Sequence, residues 1–499
     1  MRMRNRTQKV LCAAVALVST LALGTVGGSS THAGNSMHAG TIQAGLRAHH
    51  GAIASPAFVM GPRAVPAAVG AQVTYGLFTC QVNQVPGVNC LDPYEVRHAY
   101  GTDTLINKGL DGTGKTIVII DAFQNPNIME ELIDFDAFYG LPVANFTQIE
   151  PQGPPPAFDE NNGDMVSWAV EISLDVQWAH AIAPGARIVL VLAVSDADQD
   201  IYNATKYAVD NRLGDIISQS FGENEACMDP NLVIQQHAMF AEATLKNMTI
   251  FASSGDFGAG QPTCDGSALV QAAGTPASDP LVTAVGGTTL DAAYYCIADL
   301  GCNPKKHPAP GTYLGEVVWN EPAYGASGGG FSVLYDKPAY QQGFVDGSAL
   351  GVPDIAYNAS VNNGVLTVLD IGDVAPLGFY LIGGTSAGSP QWSAITAIAD
   401  QKAGHDLGFI NAALYRIGDK QPIYNSALND IKKGNNSFDG VTGFSARPHW
   451  DATTGLGSPQ AVDLVNDIIL LHSPLDGLAE IVLSSHGKGG KGHGHKKPH

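Results

Sequence analysis

Apolar and polar positions alternate along this chain in two rhythms. Short runs rich in β-branched residues, at Thr116 to Asp121, Arg187 to Val194, Asp215 to Ser218, Thr249 to Ser253 and Leu281 to Val285, read as strands. Their apolar character is continuous, the pattern of strands buried on both faces. Between them lie stretches of helical periodicity, at Asp164 to Ile182, Asp200 to Asn211 and Asn231 to Lys246. Strands alternating with helices predict an α/β fold with a parallel sheet covered on both faces. The pattern runs without a linker from residue 74 to 472, as one large domain.

The two ends read differently. Arg2, Arg4, Arg6 and Lys9 precede an apolar run from Val10 to about Val26, and small residues follow as far as Ala33. That layout predicts a secretory signal peptide over 1–33, and hence a protein released outside the cell, without membrane attachment once the signal is cleaved. Residues 34–73, rich in Ala, Gly, His and Val, show no helical or strand period and are expected to form a flexible leader. Residues 473–499 form a C-terminal segment whose Gly/Lys/His tail, from Ser484, reads as disordered.

Export changes the reading of the cysteines. Setting aside Cys12 in the signal leaves Cys80, Cys90, Cys227, Cys264, Cys296 and Cys302, an even set for which disulfides are expected. The close pairs Cys80 with Cys90 and Cys296 with Cys302 suggest local bridges and leave Cys227 with Cys264, one of fifteen possible connectivities. The formal charge is −20, and excluding the four basic residues of each terminus the chain between them carries about −28. Such a surface argues against nucleic acid as a partner and suits a medium acid enough to protonate carboxylates.

One motif is discarded on its context. Gly109 to Thr116 satisfies the phosphate-loop pattern G-x-x-x-x-G-K-[ST], but the loop must open a helix and here it runs into the strand Ile117 to Asp121. A tight glycine turn is expected instead.

The candidate chemistry begins at Gly383-Gly-Thr-Ser386-Ala-Gly-Ser-Pro390, between an apolar segment and a helical stretch from Gln391 to Ala403. This run resembles the nucleophile loop shared by subtilases and sedolisins, which implies Ser386 as nucleophile. A serine hydroxyl needs a base. None of the fifteen histidines stands in a subtilisin-type motif; His180 reads as a helix-end residue, and Asp121, without its histidine, as structural. Glu171 and Asp175, four residues apart, share a helical face. Trp168, Ile172, Val176 and Ala179 form an apolar arc on that helix, with Asp175 inside it and Glu171 at its edge. Two carboxyls placed so are expected to share protons, with one titration step raised.

Glu171 to Ala186 closely resembles the catalytic helix of the sedolisin family, the serine-carboxyl peptidases. The resemblance spans about Leu91 to Pro459 and implies a subtilisin-like fold with Glu171 as general base and Asp175 as its support. Ser253-Ser-Gly-Asp256-Phe-Gly-Ala259 resembles the family's oxyanion loop, where aspartate stands in place of the subtilisin asparagine. Only a protonated Asp256 would donate to an oxyanion, so activity in acid is expected. Asn429-Asp-Ile431 and Arg447-Pro-His-Trp-Asp451 resemble the family's site for one structural Ca2+, implying Asp430, Asp451 and the carbonyls of Ile431, Arg447 and His449 as ligands. The family has glycines where Arg447 and His449 stand.

The resemblance implies a secreted, monomeric, acid-active endopeptidase acting on proteins or peptides through an acyl-enzyme on Ser386. The family's large folded propeptide has no counterpart among residues 34–73. That departure keeps two alternatives: an inactive exported sedolisin-like binding protein, and a neutral subtilisin-like hydrolase using Asp121 and a histidine.

Overall fold

The computed structural model describes residues 54–69, 72–83, 85 and 87–484. The expected signal peptide at 1–33, the first part of the leader and the tail from 485 lie outside the described residues.

The central sheet has eight strands. Its path runs Tyr313–Val318, Thr283–Ala292, Thr249–Ser253, Ile216–Gln219, Thr116–Ala122, Arg187–Ala193 and Asn145–Ile149, with Ile355–Asn358 also pairing Thr283–Ala292. All pairings are parallel except that of Tyr313–Val318. This is the α/β architecture that the strand and helix rhythm predicts. The continuous apolar runs are explained by two cores. Ile117, Ile119, Ile188, Leu190 and Leu192 point into one, and Val118, Ile120, Ala122, Val189 and Val191 into the other.

The helix Gly163–Ile182 starts where the Asn162 side chain accepts from the Asp164 and Met165 amides, at 3.0 and 3.3 Å. Every residue from Met165 to Ile182 is buried, so the helix has no solvated face. A second layer causes this. The hairpin of Asn363–Ile371 and Ala375–Gly383 packs on the helix, and Gln177 pairs with the Val368 backbone in both directions at 2.8 Å. The two carboxyls are thereby sealed away from water.

The leader expectation is also corrected. Residues 54–69 form strands: Ser55–Pro56 pairs with Phe221–Asn224, Val59–Arg63 pairs with Ala375–Gly383, and Pro66–Val69 pairs with Gln72–Phe78. Val59 is buried with Trp319, Ala359 and Val361. At the other end the helix Asp476–Ser484 extends the folded region past 472, held by the Arg416–Asp476 ion pair.

Disulfides join Cys80 to Cys90, Cys227 to Cys264 and Cys296 to Cys302. Closing the 37-residue interval from Cys227 stabilises the fold, by about 3–4 kcal/mol in the chain-entropy picture. The segment Gly109 to Lys115 is a turn entering a strand, with Gly109, Gly112 and Gly114 at positive φ. No helix among the described residues is long and apolar enough to cross a membrane.

Candidate active site

Ligands of open parallel sheets sit at the carboxyl ends of the strands, and there the candidate residues meet. The strand Ala375–Gly383 ends at Gly384, the chain turns through Thr385–Ala387, and the helix Gly388–Ala403 begins with Pro390 in its first turn. Ser389 anchors this helix to the sheet through Ser218, with the hydroxyls 2.8 Å apart. Gly384 has φ +99°, and a Cβ there would lie 2.5 Å from Asp256 Oδ2. Glycine is therefore required for the loop to pass Asp256.

The Ser386 hydroxyl donates to Glu171 Oε2 at 2.9 Å and approaches the Ser220 carbonyl at 3.0 Å. Ser220 Oγ donates to Asp175 Oδ1 at 2.9 Å. Glu171 Oε1 and Asp175 Oδ2 receive no N–H or O–H from the described residues, and the two carboxyls are hydrogen-bonding neighbours of each other. Burial, with Asp175 and Asp121 alongside, holds Glu171 well above the usual carboxyl range, against the pull of the Ser386 hydrogen bond. Burial raises Asp175 to about 7, while its bonds to Ser220 and Glu171 oppose the shift. Three carboxyls cannot ionise together in such a site, because each negative charge adds to the desolvation the next would meet.

The third carboxyl is Asp121, for which the sequence alone predicts only a structural place. It is the last residue but one of the strand Thr116–Ala122, is fully buried, and neither of its oxygens has a hydrogen-bond partner among the described residues. Burial, and then Asp175, raise it strongly. Ser220 was missed as well; its signal was only its place one residue past the strand Ile216–Gln219. His180 lies in another contact, with Nε2 2.9 Å from the Pro142 carbonyl and 3.3 Å from Asp136.

Asp256 Oδ1 accepts from the amide and the hydroxyl of Thr385, both at 2.8 Å. Its Oδ2 is buried without a hydrogen-bond partner among the described residues. Burial raises this carboxyl to about 7, against the two bonds from Thr385. The Ser327–Gly330 loop backs Asp256: the Gly328 amide donates to Gly255 O at 2.7 Å, and Ser254 Oγ to Gly328 O at 2.8 Å. A Cβ on Gly328 would sit 2.1 Å from Ser254 O, so this glycine run supports the Ser254–Asp256 loop.

The second corner brings Asp430 and Asp451 to one loop. Asp430 Oδ1 accepts from the His449 amide at 3.1 Å, and Asp451 Oδ2 from the Arg447 amide at 3.0 Å. His449 has φ +65°, the left-handed conformation that a glycine at this position would supply. Asp451 Oδ1 is held by the amides of Thr453 and Thr454, both at 2.9 Å. Lys432 reaches Asp430 Oδ2 at 3.1 Å from an exposed position. Two carboxylates addressing one carbonyl-bearing loop fit a hard, oxygen-preferring cation. Among the described residues no group of three or more His, Cys, Asp or Glu side chains could hold a metal, so such a site would depend on main-chain oxygens.

Comparison with known proteins agrees with this geometry. The chain is 31% identical over 389 residues to kumamolisin of Bacillus sp. (strain MN-32), a match covering 76% of the chain and 63% of that protein. It is 30% identical over 361 residues to sedolisin of Pseudomonas sp. (strain 101), covering 69% and 56%. Tripeptidyl-peptidase 1 of Dictyostelium discoideum matches at 28% over 319 residues, covering 59% and 46%. The chain thus spans about three-fifths of the length of the first two relatives. Among solved structures, Pseudomonas sedolisin (serine-carboxyl proteinase) complexed with pseudo-iodotyrostatin aligns with a TM-score of 0.63 at 28% identity, covering 76% of this chain and 98% of that one. No protein-family model matches. On sequence, fold and the arrangement around Ser386, the chain belongs to the sedolisin family.

Proposed function

We propose that the chain is a secreted serine-carboxyl endopeptidase that hydrolyses proteins or peptides in acid. The observation that carries this reading is the 2.9 Å bond from Ser386 Oγ to Glu171 Oε2, where other serine peptidases use histidine. As Oγ attacks the substrate carbonyl carbon, Glu171 Oε2 takes its proton. The proton shared between Glu171 Oε1 and Asp175 Oδ2 keeps a single negative charge on the pair, and Ser220 fixes Asp175 from behind. Asp121 adds a third carboxyl, whose negative charge raises the proton affinity of Glu171. The oxyanion is met by the Ser386 amide and by Asp256 Oδ2 in its acid form, which is available below about pH 7.

Asp430, Asp451 and the carbonyls of Ile431, Arg447 and His449 fit one Ca2+, which when bound would supply positive charge joining two loops remote in sequence. Lys432 would leave Asp430 for solvent as the ion binds.

The test is hydrolysis of a peptide library at about pH 4 by the wild type and by Ser386→Ala. Cleavage by the wild type alone supports the reading. Equal absence in both supports an inactive binding protein.

A further inference from the structure

A second pair of carboxyls lies beside the candidate active site. Asp198 opens the helix Asp198–Asp210, and Glu223 stands in the strand Phe221–Asn224, which begins one residue after Ser220. The two side chains are hydrogen-bonding neighbours of each other. Asp198 is 7% exposed, and its Oδ2 and Glu223 Oε1 are buried without a further hydrogen-bond partner among the described residues. Burial raises both acids, Glu223 to about 9 with the Asp198 charge adding to the shift, and no basic side chain of the described residues offsets it.

The course of residues 54–57 shows what this pair faces. The Ser386 amide donates to the Ala57 carbonyl at 2.8 Å, which fixes the register of an extended chain at the nucleophile. Upstream, Pro56 and Ser55 pair antiparallel with Phe221 and Gly222, and the Ala54 amide donates to the Asp196 carbonyl at 3.0 Å. Ala54 therefore lies between the strand that carries Glu223 and the turn that leads into Asp198. Opposed residues of antiparallel strands present their side chains to one face, as do residues two apart along a strand. Pro56 and Phe221 share a face on this rule, and so do Ala54 and Glu223, two residues on from each. Ala54, Phe221 and Ile201 belong to one buried apolar cluster. A side chain in the place of Ala54 thus points into the crevice between the helix and the strand that the carboxyl pair spans.

We propose that this crevice is a substrate subsite for a basic side chain, lysine or arginine, on the residue three before the one whose carbonyl meets the Ser386 amide. The inference rests on the serine-carboxyl reading of Ser386. A substrate chain takes the register of residues 54–57, which brings its residue in the place of Ala54 over the pair. The methylenes of a lysine or arginine there lie along Phe221 and Ile201, and the charged end reaches the carboxyls. A cation supplies the N–H donors that Asp198 Oδ2 and Glu223 Oε1 lack, and it offsets the cost of ionising a buried acid. An apolar side chain leaves that acid uncompensated, and an acidic one adds a further like charge.

The test is kcat/KM of the full chain at about pH 6 on peptides of one sequence, varied at that residue among Lys, Leu, Glu and Ala, with the cut bond read by mass. Their amino termini are acetylated, so that the side chain alone carries the charge. The Lys peptide should exceed the Leu peptide by about tenfold, and the Glu peptide by more. Asp198→Asn and Glu223→Gln should each bring Lys down to Leu and leave the Ala peptide unchanged, which also shows the variants to be folded. A lysine moved one residue along, to the place of Ser55 on the opposite face, should give no gain. Equal rates on Lys and Leu in the wild type, an equal gain from the displaced lysine, or a preference that survives both substitutions overturns the proposal and leaves the peptidase reading standing. Cleavage of none of the peptides overturns both.

Discussion

Ser386 Oγ donates to Glu171 Oε2 across 2.9 Å, from opposite sides of a site closed to water. The pairing joins the start of one helix to the middle of another, 215 residues earlier in the chain. On the proposed reading, this places a carboxylate where it would receive the serine's proton. A carboxylate does this well only if burial raises its affinity for protons, which is the direction that Glu171, Asp175 and Asp121 all show.

On the proposed reading, Asp256 should set the alkaline limit. Burial pushes Asp256 up to about 7 and it donates only as the acid, so kcat/KM should fall above that pH by about tenfold per unit. Asp256→Asn keeps a donor at every pH, and its profile should lose that fall. Asp256→Ala should lose about 10²–10³ in kcat. A fall near pH 7 that persists unchanged in Asp256→Asn would assign the limit to another group.

Stability should follow the same acids. Burial raises Glu131 to about 7, Asp256 to about 7, Asp354 to about 6 and Asp400 to about 8. Each is more readily protonated in the folded chain than in the unfolded one. Its contribution is complete below the unfolded values of 3.8 for Asp and 4.5 for Glu, and is lost as pH rises through the folded values. His180, lowered to about 4 by burial, works in the opposite direction below its unfolded value of 6.5, but it is one group against four. Thermal unfolding of Ser386→Ala, which avoids self-digestion, should give a higher Tm at pH 4.5 than at pH 8, a difference on the order of several kcal/mol. A Tm that rises across that interval would contradict the buried acids.

Chelation should act on the C-terminal corner. With Asp430 and Asp451 holding the Arg447–Asp451 loop, removing Ca2+ should lower Tm and excess Ca2+ should restore it, with saturation set by mass action. Asp451→Asn should abolish that response. A Tm indifferent to chelator in the wild type would remove the calcium assignment.

Much of this was legible from residues alone, for reasons that can be named. The Ser386 loop carries its own signal, because small residues and a proline at fixed offsets are what a tight turn into a helix requires. Glu171 and Asp175 were legible because four residues along a helix bring side chains onto one face. That they are sealed was not, since the covering hairpin at Asn363–Gly383 lies some two hundred residues away and packing of that kind leaves no local mark. Asp121 failed for the same reason: its neighbours come from a separate helix. The strands at 54–69 were missed because Ala, Gly and Pro give no alternation, and their pairing is supplied by Phe221–Asn224 and Ala375–Gly383. The helix at Asp476–Ser484 has apolar spacing of its own but lies beside a tail whose composition masked it.

The central claim is that a carboxylate, not a histidine, activates Ser386. It is tested most directly by kcat/KM for peptide hydrolysis across pH 3 to 9 in the wild type and in Glu171→Gln. A wild-type maximum in acid with a loss of about 10³-fold or more in Glu171→Gln is the expected result. A maximum at or above pH 8, with activity retained in Glu171→Gln, would contradict it.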